Sequence, residues 1–231
     1  MSLETIMSQT NRLNVIREEI LHCQKCPLSK GRKIAVPGDG PSSVDIMFIG
    51  EGPGYHEDQQ GKPFVGQAGA FLDELLTAAN LKREEVFITN VVKCRPPGNR
   101  DPMPEELAAC ANYLDEQIAL LDPKVIVTLG RFSMAKFVEN GKISQIHGKS
   151  HNVGKRLIVT MYHPAAALHQ PALRPALIED FSKLPRLLGK EAAAQPKVET
   201  PVQHKEEAHE PEKKSVQREE KPSPPEQLSL F

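Results

Sequence analysis

Apolar residues in the first 190 positions of the 231-residue chain follow two alternating rhythms. Short aliphatic runs at Asp45–Gly50, Val86–Asn90, Val125–Gly130 and Leu157–Tyr162 read as four strands. Between them, Ala68–Ala79, Pro104–Leu121 and Phe132–Glu139 carry helical spacing, and residues 10–22 and 172–189 flank the set as two further helices. Strands alternating with helices predict an α/β fold, a parallel sheet covered by helices. Ligands of such sheets bind beyond the carboxyl ends of the strands. Three of the four predicted strands run into chemically loaded sequence there: Gly50-Glu51-Gly52-Pro53-Gly54, Thr89-Asn90 and Tyr162-His163-Pro164.

The rhythm stops near residue 190. From Glu191 to Glu226 the branched aliphatics are Val198, Val202 and Val216, and prolines recur at 196, 201, 211, 222, 224 and 225. Such a segment cannot bury enough apolar surface to offset its ordering entropy, so residues 191–226 read as a disordered, charged linker. The last five residues, Gln227-Leu228-Ser229-Leu230-Phe231, bring large apolar side chains back at 228, 230 and 231. Residues 1–190 are thus expected to form one catalytic domain, since 231 residues with 39% hydrophobic content leave little room for two cores.

Charge changes that picture little. The domain holds 23 Lys/Arg against 21 Asp/Glu, while residues 191–231 hold 6 against 9. Nucleic-acid binding would therefore rest on local clusters. Lys93, Arg95 and Arg100 form one, and Lys149, Lys155 and Arg156 form another. Either can neutralise phosphates or simply be solvated. No apolar run approaches the roughly 18 residues needed to span a bilayer, and charged residues interrupt the N-terminus where a secretory signal would be continuous. A cytoplasmic monomer with no membrane contact is the expectation.

Four cysteines are present: Cys23 and Cys26 two residues apart, then Cys94 and Cys110. Read by spacing alone, they fit an iron–sulfur cluster, a zinc site or unrelated buried thiols. The glycines of residues 50–54 would bring backbone close to a ligand, or would merely turn the chain. Pro164 biases His163 towards extended backbone, and Asn90 has an amide that both donates and accepts. A structural histidine and a plain loop-starting asparagine are the ordinary alternatives.

Together with Gly61-Lys62-Pro63-Phe64-Val65-Gly66-Gln67-Ala68-Gly69, Thr89-Asn90-Val91-Val92-Lys93-Cys94-Arg95-Pro96-Pro97 and His163-Pro164-Ala165-Ala166, the glycine-rich loop resembles the family 4 uracil-DNA glycosylases, in their order, over roughly residues 15–188. The resemblance implies a three-layer α/β/α fold with a central, mainly parallel four-stranded sheet. It implies a structural 4Fe-4S cluster on Cys23, Cys26, Cys94 and Cys110, and hydrolysis of the N-glycosidic bond of deoxyuridine in single- or double-stranded DNA. Phe64 would stack on uracil, Asn90 would read its O4 and N3–H, and His163 would stand at O2. Apart from the resemblance, Gly52 would let backbone approach the base, Arg95, Arg100 and Lys149 would meet phosphates by their local charge, and Leu168, following His163, would either wedge into the vacated stack or be an ordinary buried aliphatic.

In family 1 enzymes the first motif carries an Asp that activates water and a Tyr that excludes thymine; here Gly52 and Gly54 hold those places. Glu51 or Glu57 would then orient water or steady the sugar cation. Gln227, Leu228, Leu230 and Phe231 resemble the peptide with which bacterial repair proteins bind the β sliding clamp, on a linker spanning about 30–36 Å or more. Such an enzyme would work at the nucleoid. Two other classes stay open: a non-catalytic damage-binding protein of the same fold, and an iron–sulfur electron carrier.

Overall fold

The computed structural model describes residues 3–189; the expected linker at 191–226 and clamp peptide at 227–231 lie outside the described residues. Helices α1 (Leu3–Leu21) and α2 (Leu28–Gly31) precede strand β1 (Ile46–Gly50). Helices α3 (Tyr55–Gln60) and α4 (Gln67–Ala78) lead to β2 (Phe87–Asn90), and α5 (Pro104–Leu121) leads to β3 (Val125–Leu129). Short helices α6 (Arg131–Ala135) and α7 (Ile143–Ile146) come before a hairpin of β4 (Lys149–Val153) and β5 (Arg156–Met161). Helices α8 (Pro164–His169), α9 (Arg174–Ser182) and α10 (Leu184–Leu187) follow.

The strands form one sheet in the order β2-β1-β3-β5-β4. The first four run parallel, and β4 pairs antiparallel with β5 at the edge. The sheet thus has five strands among the described residues, where four were expected. The missed strand, Lys149-Ser150-His151-Asn152-Val153, is largely exposed. Backbone bonds to one neighbour hold it, so burial never wrote an apolar pattern into it.

Alternate side chains of the parallel strands supply two cores. Phe48, Ile88, Val127 and Val159 face α4 and α9, against Leu72, Leu75, Leu177 and Phe181. Met47, Ile49, Ile126 and Ile158 face α5, against Leu114 and Ile118. Helices therefore cover both faces, which makes the three layers. Two predicted helices are shorter than their apolar spacing suggested. Helix α6 ends at Ala135 and the chain turns at left-handed Asn140, with Phe137 and Val138 packed against the core on that face of the sheet. The 172–189 helix breaks between α9 and α10, where Pro185 has no N–H to continue the ladder.

This topology fixes where chemistry is possible. The chain leaves β1 towards β2 on one side and later returns to β3 on the other. The loops after β1, β2 and β5 consequently meet above the switch point, the usual place for a ligand crevice.

Candidate active site

A cleft of about 450 Å³ opens there, lined by Glu51, Gly52, Phe64, Asn90, Asp101 and His163 among others. Asn90 ends β2 and is 1% exposed, and its Oδ1 has no hydrogen-bond partner among the described residues. An unmet buried acceptor costs about 1–3 kcal/mol, so a ligand donor is the natural complement. Gly50 at the end of β1 makes the arrangement possible. A Cβ there would stand 2.4 Å from Asn90 Oδ1 and 2.7 Å from Phe64 Cζ. Beyond the strands, Val91 and Val92 donate to the Gly50 and Glu51 carbonyls, both at 3.1 Å, which keeps the two loops in step.

Phe64 adopts a left-handed backbone (φ 51°), which costs an aromatic residue about 1–3 kcal/mol and must be held from outside. Three residues hold it. Glu57 accepts N–H groups from Gly54 at 3.1 Å, Val65 at 2.8 Å and Gly66 at 2.9 Å. Arg83, itself paired with Asp73 at 2.8 Å, donates to the Pro63 and Phe64 carbonyls at 2.6 and 3.0 Å. Gly69 lets α4 lie against the Phe64 carbonyl, where a Cβ would come within 2.0 Å of the oxygen. The clamped ring stacks on His163 at 5.5 Å between centroids.

His163 caps α8 by accepting the Ala165 N–H on Nδ1 at 3.1 Å. Loss of solvation lowers its pKa to about 4, against an opposing pull from Glu57. At neutral pH the ring is uncharged, and because Nδ1 accepts, Nε2 carries the proton. It is a neutral donor. Glu51 lines the same cleft, and burial, reinforced by Asp101 and opposed by Arg131, raises its pKa. Asp101 itself forms an ion pair with Arg131.

The basic residues separate. Arg100 grips Glu106 through two bonds, 2.9 and 2.7 Å, so its charge is matched within the wall of the cleft. Lys93, which sequence grouped with the phosphate contacts, is 1% exposed and cannot reach a phosphate from the core. Its partners are internal, and burial lowers its pKa to about 8. Arg95 donates to Asn99 at 2.7 Å and stands 5.2 Å over the Tyr55 ring. Lys149 is exposed at the carboxyl end of β5, opposite Thr160. Lys155 and Arg156 pair with Asp122 at the other end of the sheet. Leu168, on α8 after His163, is 41% exposed.

Cys94 and Cys110 are buried, Cys23 and Cys26 half-buried, and all four are free of disulfides. They pack in one cluster with Ile16, Ile20, Val92 and Tyr113. N–H groups reach the sulfurs: Lys25 to Cys23 at 3.5 Å, Lys93 to Cys110 at 3.3 Å, and Arg32 Nη1 to Cys94 at 3.2 Å. Among the described residues no three His, Cys, Asp or Glu side chains are placed to hold a single metal ion. The donor set is four sulfurs gathered in one cluster, and thiolates are the ligands that zinc and iron–sulfur centres share.

Sequence reasoning missed Arg83 and Gln117. Both act through backbone carbonyls or a buried network, and neither belongs to a local motif. Among the described residues no helix is long and apolar enough to cross a membrane.

The pattern of the Uracil DNA glycosylase superfamily matches residues 37–184. A type-4 uracil-DNA glycosylase of Sulfurisphaera tokodaii is 50% identical over 185 residues, 76% of this chain and 84% of that protein. The type-4 enzyme of Archaeoglobus fulgidus is 47% identical over 188 residues, 77% of this chain and 94% of its own. That of Thermotoga maritima is 41% identical over 184 residues, covering 78% and 96%.

Proposed function

The chain belongs to the uracil-DNA glycosylase superfamily, beside its type-4 enzymes, and is a hydrolase that excises uracil in DNA repair; we propose that the cleft beyond β1, β2 and β5 performs the excision. The observation that carries this reading is the unmet Asn90 Oδ1, buried beside Phe64 and His163.

Uracil must leave the stack to be reached. In the cleft its face lies on Phe64, Asn90 Oδ1 accepts N3–H, and the Asn90 amide donates to O4. Cytosine has no N3 proton and presents an amino group where O4 would be, so the same amide meets two mismatches. His163 Nε2–H points at O2, where negative charge grows as the glycosidic bond breaks. A neutral donor suits that task because its bond strengthens in the transition state. Glu51, a half-buried carboxylate in the cleft, steadies the cationic sugar and orients water. Water oxygen bonds to C1′ as the C1′–N1 bond breaks, its proton passes to the carboxylate, and uracil departs as an anion. Gly52 admits the backbone to the base edge. Glu57, with three backbone donors to serve, positions the Phe64 loop rather than activating water.

Cys23, Cys26, Cys94 and Cys110 would hold a 4Fe-4S cluster. When bound it supplies a structural staple, tying the end of α1, the loop after β2 and α5 together. Arg95 and Lys149 would contact phosphates and Leu168 would fill the vacated stack; Arg100 serves better as a brace. Gln227, Leu228, Leu230 and Phe231 would bind the sliding clamp, holding a cytoplasmic monomer near DNA at the nucleoid.

Asn90→Ala tests the carrying observation. Release of uracil should fall about a hundredfold or more, with no loss of melting temperature, since the change removes an unmet acceptor. Wild-type release by the folded variant overturns the assignment.

A further inference from the structure

Lys93 is among the largest side chains wholly inside the protein. Its ammonium donates to Thr89 Oγ1 at 2.6 Å, the Asn90 carbonyl at 2.9 Å and Gln117 Oε1 at 2.7 Å. Thr89 Oγ1 and Gln117 Nε2 pass the network on to the Pro37 carbonyl, at 3.0 and 2.8 Å. All three of its donors are used, and all three acceptors are neutral. Taking an ammonium out of water costs several kcal/mol, which neutral oxygens only partly offset. Proteins usually place a carboxylate beside such a charge. Here its ionisable neighbours are Cys110 and a second cation, Lys136, which is paired with Asp115 at 2.6 Å; Lys93 also precedes Cys94, and its own backbone N–H donates to Cys110 Sγ at 3.3 Å.

We propose that Lys93 is a strut between the iron–sulfur centre and the base-reading amide: its charge balances the net negative charge of a thiolate-bound cluster, and its three bonds set the end of β2. The first function explains a buried cation with no acid. The second ties the cluster to specificity, because the carbonyl that Lys93 holds belongs to Asn90, whose side chain has a gap set by Gly50. A hydrolase needs no electrons, yet a cluster placed here has a task in the active site. Lys93 is a positioning residue, and the inference rests on the cysteine and cleft assignments given above.

Lys93→Met keeps the length and removes both charge and donors. In full-length, anaerobically purified protein loaded with its cluster, two readouts are expected to move. The midpoint potential should fall, because reduction adds negative charge that a nearby cation favours. Single-turnover release of uracil should slow at least tenfold. A loaded variant with an unchanged potential, or with wild-type release, overturns the proposal. Should Lys93→Met take up no cluster, Gln117→Glu places a carboxylate on the ammonium without removing it, and its potential should also fall; an unchanged value overturns the proposal. Wild-type protein that releases uracil but holds no iron overturns it too, while leaving the glycosylase reading intact.

Discussion

A Cβ at Gly50 would stand 2.4 Å from Asn90 Oδ1, closer than any real contact allows. The end of one central strand is thus bare so that the end of the next can present an amide. Gly50→Ala should push Asn90 and Phe64 aside together. Misplacing groups by about 1 Å can cost about a hundredfold in rate, so single-turnover release should fall by that order while circular dichroism stays unchanged. A variant with near-wild-type release would show that the amide and ring need no such closeness.

The two carboxylates should separate by what they damage. Glu57→Gln puts an amide where three backbone donors converge, which should lower stability by about 1–3 kcal/mol and loosen the loop around Phe64. Glu51→Gln should leave the melting temperature almost unchanged and slow release at least tenfold. Thermal melts and rates on both variants decide this; the reverse pattern would make Glu57 the group that handles water.

Acid should act in a set order. Burial and Asp101 raise Glu51, while His163 is lowered to about 4. As pH falls, Glu51, raised above the usual carboxylate range, takes its proton before His163 and release declines. In Glu51→Gln the residual rate should stay flat until His163 titrates near 4. The sign for stability follows. Between 6.5 and about 4 the unfolded chain binds a proton at His163 that the folded chain refuses, so stability is lost across that window as pH falls. His163→Ala should flatten that loss in urea titrations. A rate step near 6.5 in the Glu51→Gln variant would mean that the imidazole is as well solvated as a free one.

Much of this was legible in the chain. The strands that carry Gly50 and Asn90 and the one that leads into His163 were written in apolar runs because a sheet covered on both faces leaves them little choice of residue. Phe64 and the cysteines could be read from ordered motifs. Strand β4 could not, because an edge strand needs only its backbone. Arg83 was illegible for a related reason: it acts on the carbonyls of Pro63 and Phe64, which any residue supplies. Lys93 was misread as a surface cation because charge in a sequence carries no mark of burial, and only packing against Gln117 on α5 revealed it.

Deleting residues 227–231 should abolish binding to the sliding clamp and leave uracil release unchanged. Clamp affinity measured by calorimetry, full-length against truncated protein, checks this. Equal affinity without the five residues would remove the clamp from the account.

The most direct test of the central claim uses a 5′-labelled oligonucleotide with one central uracil, incubated with anaerobically purified protein and cleaved with alkali. Strand scission at the uracil, slowed about a hundredfold or more by His163→Ala, is the predicted result. No scission by folded, cluster-loaded wild-type protein, or equal scission by the variant, would contradict the assignment of this cleft to uracil excision.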